Sequence, residues 1–137
     1  MRIMAVDYGD KRTGVAVSDA MNIMAGESWV ITEWNAEEVA RRIIDEAETR
    51  GVGTIVLGYP KNMNGTLGPR AKKSEAMAAL LREKSGLEVV LWDERRTTVD
   101  AHRILSDVGK HGKKRKQIVD AVAASLILEG YLGSLKR

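Results

Sequence analysis

The chain has 137 residues, 44% hydrophobic and 30% charged, a balance typical of a globular protein with one core. Its formal net charge of +3 permits an anionic partner without requiring one. It has no cysteine and two histidines, which excludes disulfides and cysteine–zinc sites and argues against a histidine-built metal site. We find neither a signal-peptide pattern nor a membrane span, and we expect a cytoplasmic protein with one domain over residues 1–137.

The chain opens with three predicted strands. Two short apolar runs, residues 2–7 and 13–18, flank the turn-like YGDKR and predict a β-hairpin. Residues 27–32 predict the third strand of this meander.

Helices and strands alternate after the meander. The strands are predicted over 54–58 and 87–92, and the helices from Asn35 to Gly51, over 71–84, from Thr97 or Thr98 to Gly109, and over 116–132. Asn35 followed by Glu38 resembles a capping box, with Gly51 just past the end of the first helix. The last helix is apolar on nearly every side, as expected for a core helix.

The predicted order is β-β-β-α-β-α-β-α-α. Because helical crossovers join strands that run parallel, the later strands should lie parallel to the first. We therefore expect an α/β fold with a single mixed five-stranded sheet flanked by helices. Ligands of such sheets bind beyond the carboxyl ends of the strands.

Carboxylates follow two of the predicted strands at that edge. Asp7 ends the first strand, and Asp93 and Glu94 follow the strand over 87–92. Asp120 lies within the most apolar helix, where an unpaired charge would be costly to bury. Its partner could be Lys116, one helical turn earlier, or a divalent ion shared by Asp7, Glu94 and Asp120.

Four segments of the chain resemble the sequence blocks of one protein family. VDYGDKRTGVAVSD, GYPKNMNGTLGPRA, DERRTT and KKRKQIVDAVAASLILEGYL are similar, in the same order, to the blocks of the YqgF family, small bacterial proteins similar to Holliday junction resolvases. The resemblance implies a ribonuclease H-like fold and a nuclease, either a resolvase of branched DNA or an enzyme of pre-16S ribosomal RNA processing. It also places the acidic catalytic site on Asp7, Glu94 and Asp120.

A two-metal site suits this chemistry, because cations can neutralise the phosphodiester, activate water and stabilise the leaving oxygen. We expect Mg²⁺ or Mn²⁺, with Asp7 bridging two ions and Glu94 and Asp120 each holding one. Adjacent strand residues face opposite ways, so we choose Glu94 over Asp93 as the ligand.

Basic residues near these carboxylates are candidates for binding the phosphate backbone. The charged candidates are Lys11, Arg12, Arg70, Arg95, Lys113, Lys114 and Arg115, and Asn62 is an uncharged candidate. Most of the cations lie between 95 and 116, and the segment KHGKKRK, residues 110–116, is predicted to be a loop before the last helix. A solvated run of charge, or a role of Arg95 in orienting Glu94, would explain some of them equally well.

The expected partner is structured RNA or branched DNA, with a homodimer and pre-ribosomal particles as further partners. One alternative is a non-catalytic nucleic-acid-binding or ribosome-assembly protein on the same fold. Another is a phosphotransferase of the actin and sugar-kinase type, but those enzymes need two such domains and this chain has room for one.

Overall fold

The structure is a computed structural model that describes residues 1–22, 25–60, 67–93 and 112–135, with backbone alone over 112–118. Within these residues the strands are β1 (Arg2–Asp7), β2 (Arg12–Ser18), β3 (Ala25–Thr32), β4 (Val52–Tyr59) and β5 (Glu88–Asp93). The helices are α1 (Ala36–Arg50), α2 (Pro69–Ser85) and α3 (Gly112–Leu135).

The five strands form one mixed sheet in the order β3-β2-β1-β4-β5. β1, β2 and β3 pair antiparallel, and β4 and β5 continue the sheet in parallel from β1. The predicted meander and the parallel helical crossovers are therefore confirmed. The carboxyl ends of β1, β4 and β5 all lie at one edge of the sheet, which we call the active edge.

Alternation along the strands gives the sheet two apolar faces. One face packs against α1 and α2, with Met4, Val6, Ile55 and Leu57 among its buried residues. The other packs against α3, where Ile3, Ala5, Ala16 and Val56 form one buried cluster with Ile127 and Leu128 of the helix. β1 and β4 are covered on both faces, which explains why their sequences are apolar at nearly every position.

The ends of α1 follow the predicted signals with one difference. The Asn35 side chain accepts a hydrogen bond from the Glu38 backbone N–H at 3.1 Å, and Gly51 ends the helix in the left-handed region at φ 70°. Glu38 does not return a bond to Asn35, because its carboxylate pairs with Arg41 and Arg42. Glu33 accepts the Asn35 N–H instead, at 3.3 Å.

Several element boundaries differ from the sequence prediction by one to four residues. The last helix begins at Gly112 rather than at 116, so part of the predicted basic loop is helical. Lysine and arginine are good helix formers, and no proline or glycine interrupts the four residues after Gly112. β3 begins at Ala25 instead of 27. The helix predicted between Thr97 and Gly109 lies outside the described residues.

No helix among the described residues combines the length and apolar character that crossing a bilayer demands. Trp92 of β5 is 9% exposed and makes an edge-to-face contact with Tyr131 of α3 at 5.8 Å between ring centroids.

Candidate active site

Asp7 ends β1 on the face of the sheet that α3 covers. It continues the alternation of Ile3 and Ala5, both of which pack against α3. Its side chain is 16% exposed, and Arg70 Nη2 lies 3.9 Å from its Oδ1. A carboxylate is thus held at the active edge by a rigid central strand, largely shielded from water and close to a cation.

Gly14 connects Asp7 with Asp120. In the β1–β2 register Gly14 is the direct partner of Asp7, which puts their Cα atoms about 5 Å apart. A Cβ added to Gly14 would lie 2.0 Å from the backbone carbonyl oxygen of Asp120. Only a residue without a side chain lets α3 approach β2 this closely, so Gly14 brings the backbone of Asp120 next to the strand position opposite Asp7.

Asp120 forms an ion pair with Arg12. Arg12 Nε donates to Asp120 Oδ2 at 3.0 Å, and the two side chains are 30% and 24% exposed. A carboxylate in an apolar helix needs a nearby positive charge, and Arg12 at the start of β2 provides it. The side chain of Lys116, the partner considered on the same helix, lies outside the described residues. Arg12, expected to bind substrate, contacts a carboxylate of the candidate site.

Asp93 and Asp7 lie on opposite faces of the sheet. Asp93 pairs in register with Tyr59 of β4, and it continues the alternation of Val89 and Leu91, which face α1 and α2. The Tyr59 hydroxyl donates to Glu75 of α2 at 2.5 Å, as expected for a residue on that face. Glu94, the preferred ligand, lies outside the described residues and its role stays a prediction.

The other predicted substrate-binding residues are only partly described. Lys11 lies in the β1–β2 turn, with its Nζ 6.0 Å from the ring centroid of Trp34. Arg70 lies in the first turn of α2 and is 66% exposed. Lys113, Lys114 and Arg115 belong to the first turns of α3, where the backbone alone is described, and Asn62 and Arg95 lie outside the described residues.

The proposed ligands have the oxygen chemistry that a hard divalent ion requires, and two of the three lie among the described residues. Asp7 and Asp120 offer carboxylate oxygens, the donors that Mg²⁺ and Mn²⁺ prefer. No group of three or more histidine, aspartate or glutamate side chains that could hold a metal ion occurs among the described residues. Glu94, the third proposed ligand, is outside them.

Sequence reasoning missed two features of this edge. Gly14 is the first, and its signal was a glycine inside an otherwise β-branched and apolar strand. The second is the ion pair between Asp10 in the β1–β2 turn and Lys73 of α2, at 2.6 Å, which ties the turn to the other face of the sheet. Next to it, burial raises the pKa of Tyr8 with a smaller contribution from Asp10, so this phenol stays neutral at physiological pH.

A cavity of about 750 Å³ lies along the N-terminal part of α1, and neither Asp7 nor Asp120 lines it. Its charged lining comprises Glu33, Glu37, Glu38 and Asp45 against Arg41 and Lys84. This excess of negative charge would repel a phosphodiester. The cavity is therefore a poorer candidate for a nucleic-acid site than the active edge.

The amino-acid sequence of this chain is similar to those of a known protein family. The sequence model of the RuvX family, described as Holliday junction resolvase, matches residues 1–134. A protein of Desulfitobacterium hafniense (strain DSM 10664 / DCB-2) is 47% identical over all of this chain and 95% of its own length, and one of Geobacillus thermodenitrificans is 50% identical over 98% and 99%. Both are named "Putative pre-16S rRNA nuclease".

Among solved structures, that of Thermus thermophilus RuvC in complex with a Holliday junction superposes with a TM-score of 0.66, covering 98% of this chain and 96% of RuvC. At 10% identity this similarity shows the fold alone, and it confirms the predicted ribonuclease H-like architecture. Matched along nearly its whole length, the chain belongs to the RuvX (YqgF) family of Holliday junction resolvases, and this membership confirms the predicted class, a nuclease that hydrolyses phosphodiester bonds.

Proposed function

We propose that the chain is a divalent-metal-dependent endonuclease acting on structured nucleic acid, with its catalytic site on Asp7, Glu94 and Asp120. The observation that carries the proposal is the packing of the Asp120 backbone against Gly14, the strand partner of Asp7. Two acidic residues from opposite ends of the chain therefore occupy the same face of the sheet, at the edge where α/β sheets bind ligands. Carboxylates at such an edge are the oxygen donors that a divalent ion needs.

Asp7, Glu94 and Asp120 would hold Mg²⁺ or Mn²⁺, most simply as a two-metal site. The ions supply charge neutralisation at the phosphate and activation of a water molecule. The protein contributes fixed positions: Asp7 on a central strand, and Asp120 on a helix that Gly14 admits to the sheet. Arg12 orients the Asp120 carboxylate through its 3.0 Å bond, and Arg70 adds positive charge beside Asp7.

The substrate is bound mainly through its phosphates. Lys11, Arg12, Arg70 and Arg95 surround the proposed acidic site in the sequence or in space, and Lys113, Lys114 and Arg115 add three charges at the start of α3. Asn62 is the uncharged member of this set. Phosphate contacts position a nucleic acid without reading its sequence, so recognition would depend on its shape.

We propose structured RNA of the pre-16S type as the first substrate to test, because the curated relatives at 47% and 50% identity carry that name. A four-way DNA junction is the second, following the description of the family. Pre-ribosomal particles would be partners in the first case, and a homodimer would suit the second because a junction has two symmetric strands to cut. Residues 1–137 would act as one domain, in the cytoplasm.

The experiment is a cleavage assay on both substrates with Mg²⁺, with Mn²⁺ and with EDTA. Cleavage should require the ion and should fall at least about 100-fold in Asp7→Asn, Glu94→Gln and Asp120→Asn, because each variant removes a proposed ligand charge. Asp93→Asn and Asp10→Asn are matched controls, since they remove carboxylates that face α2 or pair with Lys73, and they should cut like the wild type.

Two results would contradict the proposal. Cleavage that persists in Asp7→Asn would remove the assigned site. If the wild type binds the nucleic acids but cuts neither with any ion, the chain is the alternative, a non-catalytic nucleic-acid-binding or ribosome-assembly protein.

A further inference from the structure

Trp34 is an exposed aromatic residue at the active edge. It is 69% exposed, follows the end of β3 by two residues and immediately precedes Asn35, the N-cap of α1. Because Arg12 at the start of β2 pairs with Thr32 at the end of β3, the last residues of β3 lie at the same edge as Asp7. β3 is two strand spacings, about 10 Å, from β1.

Helix capping does not explain this tryptophan. An apolar residue just before an N-cap often packs against the fourth residue of the helix, which here is Val39. Val39 is completely buried in the core beneath α1, whereas most of the Trp34 surface is open to solvent. Any such contact therefore covers little of the indole, and a large apolar surface remains exposed at the active edge.

The position of Trp34 is fixed relative to the β1–β2 turn. The Glu33 N–H donates to the carbonyl of Lys11 at 2.9 Å, and Lys11 Nζ lies 6.0 Å from the indole centroid, at the outer range of a cation–π contact. The Glu33 carboxylate accepts the Trp34 backbone N–H at 2.8 Å and lies 3.8 Å from Arg42. Glu33, which also lines the acidic cavity along α1, is thus engaged by its own partners, and the Lys11 ammonium is a cation on the side of the indole toward the β1–β2 turn.

We propose that Trp34 and Lys11 form a binding site for one unpaired nucleotide of the substrate, which we call the stacking platform. The indole would stack on the base, and the Lys11 ammonium would hold an adjoining phosphate. Stacking needs an exposed, rigid aromatic face and tolerates any base, and a neighbouring cation is its usual companion in single-strand binding. The platform gives the proposed nuclease a preference for junctions between paired and unpaired nucleic acid; it rests on that proposed function.

The test measures binding without cleavage, by fluorescence anisotropy in EDTA. The probes are a labelled RNA hairpin with a single-stranded tail, the same hairpin with an abasic tail, and the hairpin without a tail. Trp34→Ala should weaken binding of the tailed hairpin at least about fivefold, the lower limit for losing one stacked base. Trp34→Phe should restore most of it, because a phenyl ring still stacks.

The pattern across probes separates stacking from a general loss of binding. Trp34→Ala should leave the abasic and tailless hairpins nearly unaffected, while Lys11→Gln should weaken both tailed probes. Met21→Ala is the matched control, since Met21 is 76% exposed and follows β2 at the opposite edge of the sheet. It should bind every probe like the wild type.

Three outcomes would overturn the platform. One is unchanged affinity of Trp34→Ala for the tailed hairpin, the second is an equal loss on all three probes, and the third is a wild type that does not bind the tailed hairpin more tightly than the tailless one. A change in oligomeric mass of Trp34→Ala by light scattering, at unchanged affinity, would assign Trp34 to a protein contact instead. Because none of these measurements involves cleavage, the platform and the nuclease proposal can fail separately.

Discussion

Arg12 Nε and Asp120 Oδ2 are 3.0 Å apart, although the two residues are separated by 108 positions in the chain. The pair joins the first residue of β2 to the helix that covers one face of the sheet. It fixes where the Asp120 carboxylate points at the active edge. Because both side chains keep about a quarter of their surface in water, the pair contributes more to orientation than to stability.

Arg12→Gln should raise the Mg²⁺ concentration needed for half-maximal cleavage by about 10- to 100-fold, since the partner that orients a metal ligand is lost. The free energy of unfolding should change by less than about 1 kcal/mol. Metal titrations of cleavage and urea unfolding measure the two effects. Lys11→Gln, which removes a neighbouring cation that lies over Trp34, should not change the metal requirement. An unchanged requirement in Arg12→Gln, with a raised KM alone, would instead make Arg12 a substrate contact.

Gly14→Ala should destabilise the protein by about 1–3 kcal/mol or more and abolish most of the activity. The added methyl group would overlap the Asp120 carbonyl oxygen, which is backbone of both a helix and the candidate site, so α3 must move away from β2. Gly133→Ala is the matched control within α3. No atom lies within 4 Å of a Cβ at Gly133, and replacing a helical glycine with alanine should stabilise the protein by up to about 1 kcal/mol. Wild-type stability in Gly14→Ala would contradict the close packing of α3 on β2.

Glu38 should titrate far below an ordinary glutamate. Side-chain hydrogen bonds from Arg41 first and Arg42 second lower its pKa from 4.5 to about 2. Since the folded-state pKa is the lower one, the stabilisation is present above pH 4.5 and is lost as the pH falls towards 2. The unfolding free energy of Glu38→Gln should thus differ from that of the wild type at pH 7 and approach it near pH 2. Carbon-detected NMR titration gives the pKa directly, and a value near 4.5 would show that the arginine pairs do not persist in solution.

Local signals predicted much of this architecture. The hairpin, the parallel order of β4 and β5, the Asn35 cap and the termination at Gly51 follow from alternation, helical crossovers and cap preferences, which neighbouring residues encode. Asp7 is a candidate ligand because it ends a buried strand at the edge where such sheets bind ligands, and its role stays a prediction.

Contacts between distant segments were not predictable in the same way. Nothing near Asp120 in the sequence indicates that Arg12 is its partner, and the need for glycine at position 14 appears only when α3 lies on β2. The charge pattern predicts the start of α3 four residues too late, because a run of positive charge is typical of a loop, whereas lysine and arginine extend a helix readily.

Binding of Mn²⁺, measured by isothermal titration calorimetry without nucleic acid, tests the account most directly. The wild type and Asp93→Asn should bind the ion alike, while Asp7→Asn and Asp120→Asn should weaken it at least about 10-fold, because each removes a charged oxygen ligand. Equal binding by Asp7→Asn and the wild type, or the same loss in Asp93→Asn as in Asp7→Asn, would contradict a metal site shared by Asp7 and Asp120.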